Sequence, residues 1–340
     1  MPALSHRLPL IAFLFAGLAQ AAPFPNTSHF GLPFSHDEAW YRQCMRVEAR
    51  SAPGFGERAP APGCDASRLY YDRRAQAGAT AAEWRQVREC ALARQDHAVL
   101  MMLYANGFGV PRDTDIAVHH ACRLGFTAKA EMEGRIAHLT GPRRPGAVFD
   151  QCDDITSGYM LTVCAGLREH QAERGRKARL DRIAQALPQG ARPAFAALRR
   201  AADRYAAAAE TDMQGTAAPG RAIARKGALQ ARFAATLDAV LGDSLPKASQ
   251  QDLARIDGEL NTVYRTLMTP TPSERGRPGR IGASSITRTE LRQAERRWIA
   301  YRDAFLAFRA RLPSGAGPDA IRVALTGQRL DALKDIMRYR

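Results

Sequence analysis

The chain is poor in lysine and in aromatic residues, and it has no long apolar run beyond its first two dozen positions. Only five of the 49 basic residues are lysine (Lys129, Lys177, Lys226, Lys247 and Lys334), so arginine carries almost all of the positive charge. Aromatics make up 7% of a chain in which alanine is very frequent, which favours helices packed through small side chains over an all-β core. No stretch after the N-terminal one approaches the roughly 20 apolar residues that a membrane span needs. The nucleophile elbow, the HExxH zinc pair, the phosphate-binding loop and the dinucleotide fingerprint are all missing. No Cys-x-x-Cys or Cys/His set has zinc spacing, and His97, His119, His120, His138 and His170 follow no ligand or nucleophile pattern. Glu131 and Glu133 share a helix at i, i+2 and therefore face apart. These absences argue against an enzyme, and no catalytic residue, metal or cofactor is assigned.

With 340 residues, of which 46% are hydrophobic and 24% charged, the chain has a globular composition and room for about two domains. Its net charge of +15 predicts attraction to anionic surfaces and non-specific, not sequence-specific, nucleic-acid binding. Residues 1–21 read as a secretory signal peptide. Arg7 precedes the apolar run from Leu8 to Leu18, and Ala19-Gln20-Ala21 supplies a small-x-small cleavage site. The expected product is periplasmic or secreted, begins at Ala22 and has no transmembrane segment. All six cysteines lie beyond that point: Cys44, Cys64, Cys90, Cys122, Cys152 and Cys164. An even number in an exported chain reads as three disulfides, with 15 possible pairings. Pairing in sequence order is the expectation (44–64, 90–122 and 152–164), and the short 152–164 loop closes most easily.

Residues 22–81 are rich in Pro and Gly and read as an extended arm holding a short helix at 37–50. Helical periodicity begins at 82. Two helices, 82–95 and 97–106, carry Trp84, Val87, Leu92, Val99, Met102 and Leu103 on their apolar faces. Asn106-Gly107-x-Gly109 then offers left-handed stops, and Asp113 can cap the next helix. A self-offset of 32 residues lays Cys90 on Cys122 and Ala98 on Ala130. The stretch Leu103-Tyr104-Ala105-Asn106-Gly107-x-Gly109-Val110-x-Arg112-Asp113, followed by Ala117 and Ala121, resembles a Sel-like repeat, a helical solenoid unit related to tetratricopeptide repeats. That resemblance covers 82–140 and implies protein contact. With about one and a half units present, the piece must dock on the rest of the chain or be stapled to it.

A second internal repeat follows the loop at 141–146. Leu180-Asp181-x-Ile183 lies on Leu260-Asn261-x-Val263 at an offset of 80. Phe195, Leu198, Ala202 and Tyr205 lie on Leu291, Ala294, Trp298 and Tyr301 at 96, as do Ala228, Leu229 and Leu237 on Ala324, Leu325 and Leu333. The difference between the offsets falls in the Pro/Gly-rich stretch 269–284, expected as a surface loop. Residues 150–245 and 250–340 therefore read as two copies of one three-helix unit.

The second copy is the more distinctive. Leu260-Asn261-Thr262-Val263-Tyr264, the helix from Leu291 through Trp298 and Tyr301 to Arg302-Asp303, and Leu325-Thr326-Gly327-Gln328-Arg329 occur in one order. Together with the Cys152-to-Cys164 opening, they closely resemble the lysozyme inhibitor LprI-like family of exported proteins. The sequence departs from the family pattern in carrying Glu295 where a Gln precedes the central Trp. The resemblance implies an all-α fold, here a Sel-like segment packed on a duplicated three-helix LprI-like unit and stapled by disulfides. It also implies binding to a muramidase of the lysozyme type. The alternative is a non-inhibitory envelope adaptor whose basic surface binds anionic envelope polymers or acidic proteins. The first copy keeps the apolar face but loses the polar set: Ala206 and Ala207 stand for Arg302 and Asp303, and Phe233 for Arg329. Asn261, Tyr264, Trp298, Tyr301, Arg302, Asp303, Gln328 and Arg329 are thus the candidates for contacting a partner or bracing the helices.

Overall fold

Most helices of this chain begin at a side chain able to accept a hydrogen bond from the first turn. The computed structural model describes residues 23–57, 63–76, 78–142, 144–274, 276 and 279–340, so the expected signal peptide lies outside the described residues. The helices are α1 (Ala39–Arg46), α2 (Ala66–Arg74), α3 (Ala81–Arg94), α4 (His97–Asn106), α5 (Thr114–Cys122) and α6 (Lys129–Thr140), then α7 (Gly158–Ala186), α8 (Arg192–Ala208), α9 (Ala218–Leu241), α10 (Gln250–Met268), α11 (Arg288–Arg309) and α12 (Pro318–Met337). Among the described residues there is no β-strand, only one isolated antiparallel bridge between Arg280 and Thr287. The fold is all-α. Thr80 with Glu83, Ser249 with Asp252 and Thr287 with Glu290 form capping boxes on α3, α10 and α11. Asp65, Asp96, Asp113 and Ser157 cap α2, α4, α5 and α7. No described helix is long and apolar enough to cross a membrane.

Helices α1–α6 enclose one buried cluster. At its centre α4 is buried from Val99 to Ala105, an all-round burial matching its unbroken apolar run. The turn after it has Gly107 at φ 74° and Gly109 at φ 69°, the left-handed positions expected there. A Cβ on Gly109 would lie 2.4 Å from Trp84 Cβ, so the turn also lets α3 approach. The N-terminal arm holds its expected short helix, as α1, but carries a second, α2, where an extended chain is expected. Its residues Phe30, Trp40, Val47, Tyr70 and Tyr71 enter the same cluster as α4. The arm packs on α3–α6 and covers their apolar side.

The disulfides explain how. Cys152–Cys164 forms as expected, with Cα atoms 5.9 Å apart. The other two do not follow sequence order: Cys44 pairs with Cys122 and Cys64 with Cys90. Loop length favoured near neighbours, but α1 packs on α5 and α2 on α3, which brings the distant cysteines to Cα separations of 5.8 and 6.0 Å. Both crosslinks tie the arm to the helical hairpins. Three histidines sit beside the first. His119 Nδ1 donates to Val47 O at 3.0 Å, and Ala52 N–H donates to His120 Nε2 at 3.3 Å. His120 therefore carries its proton on Nδ1, 2.8 Å from His97 Nδ1.

Helices α7–α12 surround a second cluster. α7 lies along α9 and α10 along α12, while α8 and α11 run antiparallel at the centre. Phe195 meets Phe308 with ring centroids 5.3 Å apart, and Tyr205 stacks on Tyr301 at 5.7 Å. The stacked tyrosines are residues that the 96-residue offset equates. Gly220 permits the α7–α9 approach, since a Cβ there would meet Leu161 Cδ2 at 2.3 Å. The stretch 269–284 is more than a surface loop. Ile281 and Ser284 are fully buried, and Glu274 accepts from Gly282 N–H at 2.8 Å and from Arg288 Nη2 at 2.5 Å. Ser157 caps α7, and Asp154 lies 3.1 Å from His138 Nδ1.

Burial holds His97 down to about 4 and His120 to about 2, so both stay neutral in the folded protein. Unfolded histidine takes up a proton near pH 6.5, so the unfolded state binds more protons as pH falls from there toward 4. Stability is expected to drop already between about pH 6.5 and 5, above the range where ordinary carboxylates titrate. Urea titrations across that window check this, and a midpoint that stays flat contradicts it.

Candidate functional site

Helices α10, α11 and α12 present an open groove of about 410 Å³, lined among others by Leu253, Asp257, Arg302, Asp319, Arg322 and Thr326. The elements position these groups through helix period. Leu253 and Asp257 are one turn apart on α10, and Asp319 and Arg322 form an i, i+3 pair at 3.0 Å in the first turns of α12. Arg302 projects from the edge of the α11 apolar stripe. Its guanidinium lies 5.2 Å from the Trp298 ring centroid and donates to Asp303 Oδ1 at 3.0 and 3.1 Å. Asn261 Nδ2 donates to Asp257 Oδ2 at 3.0 Å, steadying a carboxylate that lines the groove without lining it itself.

The other candidate residues point inward. Trp298 and Tyr301 are buried in the C-terminal cluster. Tyr264 packs on that cluster half-buried, and burial followed by the nearby Glu295 raises its hydroxyl above the usual range. Gln328 Nε2 donates to Thr236 Oγ1 at 3.0 Å, bridging α12 to α9. Arg329 is fully buried and every guanidinium nitrogen is engaged. Nη1 and Nη2 reach Glu210 at 3.1 and 2.7 Å, and Nε reaches Glu295 at 2.8 Å. Glu210 sits on the connection from α8 to α9, so this three-residue clasp joins α12 and α11 to the preceding half. Burial opposes the Arg329 charge, and Glu210 more than offsets it, so the guanidinium stays protonated. Burial pushes the Glu295 carboxyl up while Arg329 draws it down, leaving it raised. Glu295 is the position where the sequence departed from the family pattern, and here its carboxylate meets Arg329.

Sequence reasoning missed Asp257, Asp319, Arg322 and Glu210. Asp257 stands four residues before Asn261 and was within reach of a periodicity argument. Glu210 sits in a connection with no period, and its only signal was that a buried arginine needs carboxylates. A second open cleft, about 630 Å³, lies beside the clasp and includes Asp212, Arg221, Asp335 and Arg338. Arg221 there donates to Gln214 O and Asp212 O, Asp212 accepts from Ser285, and Arg338 pairs with Asp335 at 3.2 Å. Among the described residues no group of three or more His, Cys, Asp or Glu side chains could hold a metal ion.

The class is thus an all-α, disulfide-stapled protein whose last three helices form a polar groove over an aromatic core. Residues 244–333, which take in α10, α11 and most of α12, match the family model described as Lysozyme inhibitor LprI. Comparison with curated proteins and with solved structures returns no match.

Replacing Arg329 by Met is expected to leave two buried carboxylates uncompensated and to cost about 3–5 kcal/mol in stability. The triple replacement Arg329→Met, Glu210→Met and Glu295→Leu is expected to recover most of that loss. Chemical denaturation measures both, and a loss below about 1 kcal/mol for Arg329→Met contradicts the clasp.

Proposed function

We propose that this protein is an exported, lysozyme-inhibitor-like binding protein that acts by contact with a muramidase rather than by catalysis. The observation that carries the reading is the match of residues 244–333, which coincides with the helices that build the groove. Arg302 at the groove edge, stacked beside Trp298, is the kind of anchor on which protein interfaces depend. Many lysozymes are basic, and the whole chain is basic too, which disfavours long-range encounter. The groove itself is not basic, because Asp257 and Asp319 balance Arg302 and Arg322 along its lining. Three disulfides support an oxidising compartment, in keeping with the leader expected at residues 1–21. In this reading residues 82–140 are a Sel-like contact segment, and 150–245 serves as the structural copy that braces 250–340.

A second reading is an envelope adaptor that inhibits nothing and is held by anionic polymers. The distribution of charge favours it, because residues 23–157 hold 16 basic and 16 acidic residues whereas residues 158–340 hold 32 and 18.

A cell-wall clearing assay separates the two. Oxidised protein beginning at Ala22 is titrated against basic and acidic lysozymes at low and high salt. The first reading expects saturable inhibition of at least one enzyme, weakened about tenfold by Arg302→Ala with little change in stability. Full activity of every lysozyme at saturating protein defeats it and leaves the adaptor.

A further inference from the structure

The surplus of 14 positive charges in residues 158–340 has a location on the fold. Helices α8 and α11 pack side by side and bury one face on α9 and α12, where Phe233 of α9 meets the rings of Tyr301 and Phe305. The opposite faces of both helices point to solvent. Arg200 and Arg204 on α8, and Arg292, Arg296 and Arg297 on α11, are all exposed there. Among the described residues none of the five has a hydrogen-bond or ion-pair partner. The carboxylates of the same two helices are already committed. Asp203 accepts from Gln230 at 3.4 Å, Glu290 caps α11 through Thr287, and Asp303 takes Arg302.

The register of the pair orders these arginines. Because α8 and α11 are antiparallel with Phe195 against Phe308 and Tyr205 against Tyr301, Arg296 and Arg297 fall about one turn beyond Arg204, and Arg292 about one turn further. At a rise of 1.5 Å per residue, the guanidinium-bearing positions step by about 6 Å along roughly 18 Å. Alanines such as Ala207, Ala300 and Ala307 floor the surface between them, and Ile299, at 38% exposure, is its one large exposed apolar side chain. Protein interfaces concentrate their energy in desolvated aromatic and arginine anchors closed off by a packed rim, and this face exposes no aromatic side chain to build one. A row of unpaired forks on a low floor suits an extended polyanion instead. Phosphate suits the row because its non-bridging oxygens accept guanidinium forks and every repeat of a phosphate-linked chain carries a charge.

We propose that the outward face of the α8–α11 pair is a binding surface for a linear phosphate-bearing polymer. The proposal rests on the adaptor reading and specifies its site and ligand chemistry. It is independent of the α10–α12 groove, which opens elsewhere on α11.

Binding of labelled long-chain inorganic polyphosphate to the oxidised protein, followed by anisotropy at about 50 and 200 mM salt, tests it. Arg200→Gln/Arg204→Gln/Arg296→Gln/Arg297→Gln is expected to weaken binding at least tenfold and to flatten the slope of log affinity against log salt by about 3. The control Arg42→Gln/Arg50→Gln/Arg85→Gln/Arg94→Gln removes the same charge from exposed positions of the N-terminal body and is expected to keep the wild-type slope. Should the first variant not fold, Arg204→Gln/Arg297→Gln is expected to lose about half as much slope. Equal loss in both quadruple variants, or in neither, overturns the site while the adaptor reading stands. Binding of neither polyphosphate nor poly-glutamate by the wild type sinks both. Equally tight binding of poly-glutamate with the same losses overturns the choice of phosphate.

Discussion

The C-terminal body depends on one buried arginine. Arg329 lies in the interior with Glu210 and Glu295 around it, and no water-facing route remains for any of its nitrogens. A charge in that position is tolerable only if its partners are placed before it, which requires α11, α12 and the α8–α9 connection to arrive together. Phe195 against Phe308 and Tyr205 against Tyr301 set how α8 meets α11, but α12 carries no aromatic side chain to join them. The clasp, with the Gln328–Thr236 link one residue away, sets a single arrangement.

That arrangement assigns different work to the faces of one central helix. The inward face of α11 supplies Trp298, Tyr301, Phe305 and Phe308 to the core. Its edge delivers Arg302 to the groove, and its outer side carries the unpaired arginines. The N-terminal body is built on other terms. It has no net charge and covers its helices with an arm fastened by two disulfides. Its buried histidines add a dependence on pH below about 6.5.

Much of this was legible in the sequence where information is local. The cap at Asp113, the glycine stop after Asn106, and the apolar stripe from Leu291 to Phe308 each rest on a few neighbouring residues. The Cys152–Cys164 loop is short for the same reason. Cys44–Cys122 was not legible, because its ends meet only through the packing of α1 on α5. The helix at Ala66–Arg74 escaped notice because its neighbours are rich in Pro and Gly. Among the candidate site residues, the pattern marked Arg329 and Gln328 without saying what they hold, since their partners Glu210 and Thr236 lie far off in sequence. Arg302 was placed at the edge of its helix face by periodicity, whereas the groove it borders exists only once α10 and α12 flank it.

Hydrogen exchange read by mass spectrometry on Arg329→Met is the most direct test of the central role given to this residue. If the clasp holds the two three-helix halves together, amides in α8, α9, α11 and α12 lose protection as one group while α3–α5 keep theirs. Loss confined to α12, with α8 and α9 unchanged, would show that the halves are held by apolar packing alone and would contradict the account.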